Sequence, residues 1–458
     1  MRRTGSRRIQ TAVTTALATA LVLSVTAACG SDGDNGDRGG GGKVELDING
    51  QPPSSQQQER ALFDADVKAF EKANPDIDLV PHEGFMEPKT FQTKLAGGKL
   101  EDVFYTYFTD PAGLIAKRQA ADITEHVKDL PHYGDIKPEL LKIYQDEEGR
   151  QFGLPTANYS MGLVYNRKLF EQAGLDPDRP PATWDEVRAA AKKISGLGKG
   201  HVGYADLSKN NQGGWHFTAE LYSRGGTVAK QDGDTWKASF NDSRGEAVLR
   251  TLHDMRWKDG SMGSKQLLED ADLQRMMGAG KLGMYVAAGD NIPVVVKEFD
   301  GQYDDYGLAP VPEGRGTLIG GEGYMFNPKA SPEQIKAGVK WIHWRFLTPE
   351  TIERTAKWHH KRKLPVGLPV APTPDNWNGA TRQAVEKIKK ANANVPVGNY
   401  AAFTDKNVPG VIEPPEAQQV YAALDKTMQA VLTKEDADIG GLLDKAEDEV
   451  NQIYARVR

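Results

Sequence analysis

The stretch that decides the fold is residues 152–187, FGLPTANYSMGLVYNRKLFEQAGLDPDRPPATWDEV. Its first third is extended. Pro155 biases Leu154 away from the helical region, and Met161, Leu163 and Tyr165 alternate with smaller residues. A short helix is predicted over residues 167–173, with Leu169 and Phe170 inward and Gly174 as its C-terminal stop. Pro180-Pro181 then halts the chain. Thr183 is a good N-cap, and Glu186 three residues on completes a capping box for a helix running to Ile194. A strand that leaves one sheet, crosses and enters another is how two lobes share a hinge.

Length agrees with two lobes, because 458 residues exceed what one hydrophobic core usually organises. The formal net charge is −6, and it becomes −10 once residues 1–28, which hold four arginines and no acid, are removed. So acidic a chain is poorly suited to DNA or RNA, whose binding rests on neutralising phosphates with Lys and Arg. Nucleic acid is therefore not an expected partner.

Arg2, Arg3, Arg7 and Arg8 form a basic start, residues 11–26 are apolar and rich in Ala and Thr, and Ala27-Ala28-Cys29-Gly30 follows. This reads as a lipoprotein signal peptide over 1–28, with Cys29 acylated as the new first residue, although Thr26 stands where Leu is commonest. The alternative is an uncleaved membrane anchor, which the small residues make weakly hydrophobic. Cys29 is the single cysteine, so a disulfide scaffold is excluded. Residues 29–43 then form a flexible Gly- and Asp-rich tether with a span of roughly 20 Å.

Beyond the tether, Val44, Leu46 and Ile48 alternate as a strand, Ser54 or Ser55 can cap a helix with Phe63, Val67 and Phe70 inward, and Ile77 and Leu79 begin a second strand. This βαβ order implies a parallel sheet with ligand near the carboxyl ends of its strands, which places Gln51 at a binding edge or in an ordinary turn. Asn210-Asn211-Gln212-Gly213-Gly214-Trp215 has the character of a cleft loop, in which Trp215 either stacks on ligand or starts a buried helix face. Residues 318–326, LIGGEGYMF, form a second crossing whose glycines permit close approach, and Glu322 is its carboxylate candidate. A third crossing is expected at 363–369. His359-His360 is an unsupported pair pointing about 100° apart on a helix, so no metal site is expected.

The ordered set Gly153-Leu154-Pro155, Tyr165-Asn166, Leu169-Phe170, Ala173-Gly174-Leu175 and Pro181-x-Thr183-Trp184-x-Glu186 resembles the signature region of extracellular solute-binding proteins of ABC importers, in the carbohydrate-binding, maltose-binding-protein-like group. Matching segments extend the resemblance over most of residues 44–458. It implies an α/β fold of two lobes, each a mostly parallel sheet flanked by helices, joined by crossing hinge segments. Residues 44–157 with 323–365 would form the first lobe, and 158–322 with 366–458 the second. The loop Tyr105-Thr106-Tyr107-Phe108-Thr109-Asp110 would put Tyr107, Thr109 and Asp110 on the sugar, with Asp110 as a helix N-cap the alternative. A Tyr ring can stack on a pyranose face and a carboxylate can accept two vicinal hydroxyls. Tyr159, in the crossing strand, would face ligand. Asp290 and Asn291 follow the Gly289 turn, where many relatives carry an aromatic that this sequence lacks.

The resemblance implies a monomeric, lipid-anchored extracytoplasmic receptor on the outer face of the cell membrane. It would bind a sugar or oligosaccharide between the lobes, without a cofactor, and deliver it to the permease subunits of an ABC importer. The rival is a secreted glycosidase using paired carboxylates such as Asp110 and Glu322.

Overall fold

The computed structural model describes residues 43–84, 88–198, 200–233, 235–369 and 376–456. The leader, Cys29 and the tether up to Gly42 lie outside the described residues. The strands are β1 (Val44–Gln51), β2 (Ile77–Glu83), β3 (Val103–Tyr107), β4 (Gly153–Asn166), β5 (Val202–Tyr204), β6 (Ala229–Asp232), β7 (Thr235–Ala238), β8 (Leu282–Ala288), β9 (Tyr306–Pro310), β10 (Thr317–Phe326) and β11 (Gly410–Ile412).

The main sheet runs β2-β1-β3-β10-β4-β8-β5, with β11 beside β10 and β9 beside β4, while β6 and β7 form a separate hairpin. Pairings β1–β2, β1–β3, β5–β8 and β10–β11 are parallel, as βαβ order requires. The two long strands β4 and β10 pair antiparallel with each other and with the neighbours β3, β8 and β9. The sheets are therefore mixed where mostly parallel ones were expected. Each crossing strand serves both lobes, and its direction is set by the crossing rather than by a crossover helix.

One core, containing Leu46, Ile48, Phe63, Phe70, Phe104, Leu154, Phe326 and Trp341, lies on the side of β1, β2 and β3. On the other side, β8 is covered on both faces: Met284 and Val286 join Val187, Phe217, Leu249 and Leu424, whereas Tyr285 and Ala287 join Leu273, Ile292 and Leu308. Burial on both faces explains why β8 reads as the unbroken apolar run LGMYVAA. Complete burial of such Leu, Val or Phe side chains stabilises by about 1.5–3 kcal/mol each.

Local signals hold at the hinge. The Trp184–Ser195 helix starts with the full Thr183/Glu186 capping box, and the preceding short helix ends before Gly174 at φ +66°. Ser331, Pro332 and Gln334 cap the Pro332–Phe346 helix in the same manner. At the Gln57–Ala73 helix the N-cap is Gln56 with no side-chain bond, so neither Ser54 nor Ser55 caps it. The expected third crossing is irregular chain: Leu368 packs with Tyr285 and Tyr306, whereas Trp377 and Val385 sit in the core of Leu46 and Trp341. Residues 377–385 thus pack with the first lobe although they follow position 366.

Candidate functional site

The register of the shared sheet sets out the site. On β10, Tyr324 lies opposite Tyr105, Glu322 opposite both Tyr107 and Ala157, and Gly320 opposite Tyr159. Directly opposed residues share a face, so Tyr105, Tyr107, Glu322 and Tyr159 stand on one surface that runs from one lobe into the other. A Cβ on Gly320 would sit 2.2 Å from the Tyr159 hydroxyl oxygen, so the ring lies over bare backbone that only glycine provides. From strand spacing and rise, the Cα atoms of Tyr107 and Tyr159 are roughly 12 Å apart.

On the first-lobe side Tyr107 is 47% exposed and meets Tyr105 edge-on at 5.1 Å. The Tyr105 hydroxyl donates to the Glu322 carboxylate, and burial holds that carboxyl above its ordinary range. The expected ligand loop is in fact half strand, since β3 continues through Tyr107 and only Phe108 to Asp110 turn. Thr109 is exposed in that turn. Asp110 occupies the N-cap position of the next helix without capping it, and its carboxylate accepts the Tyr107 N–H at 2.8 Å instead. Gln51 ends β1, but it is nearly buried and its amide donates to Asp64 at 3.2 Å, turned toward the covering helix.

On the second-lobe side the Gln212–Ser223 helix brings up Trp215, half-buried and edge-on to Tyr159 with ring centroids 6.5 Å apart. Gly214 lets this helix press on the Ala417–Thr433 helix, where a Cβ would lie 2.2 Å from the Tyr421 carbonyl oxygen. Asp290 stands at the start of the Asn291–Glu298 helix without capping it, and desolvation raises its pKa. Asn291 accepts from Gln274 at 2.8 Å and from the Tyr285 hydroxyl at 3.4 Å, so it is tied into its own lobe. The structure thus puts Tyr107, Glu322 and Tyr159 on one face of the sheet, with Trp215 edge-on to Tyr159.

Sequence reasoning missed Glu413. It follows β11, whose three residues are too short to show a period, and its carboxylate accepts from the Tyr421 hydroxyl at 3.0 Å. Burial raises its pKa; the Tyr159 phenol is pushed up first by its own burial and then by the Glu413 and Asp290 carboxylates. Also missed is the buried network beneath Trp215. His216 Nδ1 is 2.5 Å from Asp206, Tyr204 donates to Glu220 at 3.1 Å, and Arg224 lies 3.5 Å from Glu220 and over the Trp184 ring. Burial pushes Asp206 up to about 6, His216 down to about 4 and Glu220 well up. Near neutral pH the Asp206 carboxylate therefore accepts from a neutral His216, and Arg224 supplies the compensating charge.

A separate cavity lies across the sheet from Tyr159, lined by Asn158, Ser160, Thr317, Arg382 and Phe403 among others. Among the described residues no group of three or more His, Cys, Asp or Glu is placed to hold a metal, and no helix is long and apolar enough to cross a membrane.

Comparison with known proteins agrees with this architecture. The structure of the cyclic α-maltosyl-1,6-maltose binding protein of Arthrobacter globiformis superposes with a TM-score of 0.69 at 22% identity, covering 90% of this chain and 99% of that one. A putative binding protein of Brucella abortus is 25% identical over 272 residues, 56% of this chain, so the match spans only 61% of that relative's length. The sn-glycerol-3-phosphate-binding periplasmic protein of Brucella melitensis is 24% identical over 319 residues, 66% of this chain and 70% of the relative. The family model described as bacterial extracellular solute-binding protein matches residues 54–350. With two α/β lobes joined by shared strands, and that family model matching well over half of its length, the chain belongs to the bacterial extracellular solute-binding proteins.

Proposed function

We propose that the protein is a lipid-anchored, monomeric receptor that captures a sugar or oligosaccharide between its lobes and presents it to the permease of an ABC importer. The observation that carries this reading is the continuous face of Tyr107, Glu322 and Tyr159 across the shared strands, with Trp215 closing its far end. Two aromatic platforms roughly 12 Å apart suit the apolar faces of neighbouring sugar rings, and Glu322 between them suits hydroxyl donors. The Arthrobacter relative is named for a maltose-type ligand, which favours the same class.

In this reading residues 44–157 and 323–365, joined by 377–385, form one jaw, and most of 158–322 with the C-terminal helices forms the other. Solute that touches both jaws binds the closed form more tightly and shifts the open–closed equilibrium by that difference. Cys29 carries the acyl anchor and the tether keeps the receptor beside its permease. Micromolar capture requires only about −8 kcal/mol, within reach of two stacked rings and a few paired hydroxyls.

The test is small-angle scattering with and without saturating solute chosen from a panel of mono- and oligosaccharides. A sugar that reduces the radius of gyration supports the reading. Absence of compaction with every sugar in the panel, or turnover of any of them by the purified protein, overturns it.

A further inference from the structure

The strands shared by the jaws have a second face, turned away from the groove. Asn158 and Ser160 flank Tyr159 in β4, so strand alternation turns both to that rear side. A cavity of about 50 Å³ lies there, with Asn158, Ser160 and Thr317 on its sheet side, Arg382 on one flank, and Phe403 and Val408 on the other. The first flank belongs to the first jaw. The Gly379–Asn392 helix that carries Arg382 is tied through Thr381 to Asp135, and its Val385 sits in the core that holds Trp341. The second flank belongs to the other jaw, where Phe403 packs against the core of Tyr285 and Leu308. Arg382 Nη2 donates to the Thr404 carbonyl at 3.2 Å, a bond that ties the two flanks together.

Asn158 is the residue that calls for an occupant. It is 7% exposed, it lines the cavity, and its Oδ1 accepts no hydrogen bond. A buried acceptor left bare is costly, and such atoms are rare unless something supplies a donor. The volume suits about four waters. The walls, however, are mixed: Met161, Pro310, Phe403 and Val408 stand among the Ser160 hydroxyl and the Arg382 guanidinium. Water leaves the apolar walls unmatched, and a bare anion has no donor for Asn158 Oδ1. A chain of adjacent hydroxyl-bearing carbons meets both demands, turning hydroxyls to the polar groups and C–H to the apolar ones.

We propose that this rear cavity is a second ligand site, separate from the groove, that takes a short polyol of the size of glycerol. A hydroxyl of the polyol donates to Asn158 Oδ1 and another meets Ser160, while its carbons lie against Phe403 and Val408. The Arg382–Thr404 bond holds the two flanks around it.

Saturation-transfer NMR on the protein tests this with glycerol and with n-propanol, which keeps the three-carbon chain but only one hydroxyl. The expected result is saturable transfer to glycerol at millimolar concentration, with n-propanol weaker by roughly tenfold or more. Glycerol should weaken to the same degree in Asn158→Leu and in Ser160→Leu, and bind unchanged in Trp215→Ala. Thermal melts show whether each variant folds; if Asn158→Leu does not, the half-buried Ser160 carries the comparison. Absence of saturable transfer to glycerol overturns the proposal and leaves water as the occupant. Equal binding of n-propanol overturns the polyol class. Loss in Trp215→Ala, or full retention in the rear variants, moves glycerol to the groove and overturns the rear site. Each of these outcomes is independent of which solute the groove takes, so the carbohydrate reading stands or falls separately.

Discussion

On the first-lobe side of the groove, Glu322 stands between two paired strands and has the Tyr105 hydroxyl as its own donor. On the second-lobe side, Asp290 and Glu413 hang from the beginning of a helix and the end of a three-residue strand, and Trp215 rides on a helix start propped from below by a buried ionic network. One jaw is built from sheet register, the other from helix termini and buried charge. Sheet register positions side chains with little help, because opposed residues are fixed together by the ladder. Helix termini need support, and here Asp206, His216, Glu220 and Arg224 supply it.

The largest effect is expected where that support is removed. Arg224→Ala takes the compensating cation from a fully buried set of acids and should destabilise the fold by about 3–5 kcal/mol in urea titration. A loss below about 1 kcal/mol would show that the network is not a prop. Next come the aromatic platforms. Trp215→Ala and Tyr107→Ala should each weaken sugar binding at least tenfold, and Tyr107→Ala should leave stability within about 0.5 kcal/mol because its ring is exposed. If only one of the two matters, the solute is held by a single jaw.

Tyr105→Phe sharpens the contrast from the first-lobe side, leaving Glu322 without its donor at a cost of about 1–2 kcal/mol at neutral pH. The sign with pH follows from the raised carboxyl. A group that binds its proton more tightly folded than unfolded costs stability above its folded pKa and recovers it as pH falls. The variant's deficit should therefore shrink on acidification, as a series of melts would reveal. The smallest effect belongs to Thr183→Ala, which removes one half of the capping box and should cost about 1 kcal/mol without changing affinity.

How much of this was legible follows the same division. Crossing strands, the Thr183/Glu186 capping box and the parallel β1–β2 pair were readable because alternation, Pro, Gly and Thr–Glu spacing are local signals. Tyr107, Tyr159 and Glu322 share one face of the sheet with Trp215 against Tyr159, whereas Gln51 turns to Asp64, a choice made by a helix thirteen residues away that spacing alone does not encode. Glu413 and the Asp206–His216 pair were invisible for a related reason. Glu413 draws its importance from Tyr159, more than 200 residues away, and the Asp206–His216 pair from complete burial, which the polar residue types themselves do not announce. The mixed sheets also escaped notice, because strand direction at a crossing is a property of the whole chain path.

The most direct measurement is a thermal-shift panel of mono- and oligosaccharides on the wild-type protein, Tyr107→Ala and Trp215→Ala. A ligand that binds only the folded state adds about 2.7 kcal/mol at a hundredfold excess over its dissociation constant, enough to move the melting midpoint by degrees. The expected result is a rise with at least one carbohydrate in the wild type that falls away in both variants. A rise that survives in both, or no rise with any carbohydrate, would contradict a solute bridged between the two aromatic ends of the shared strands.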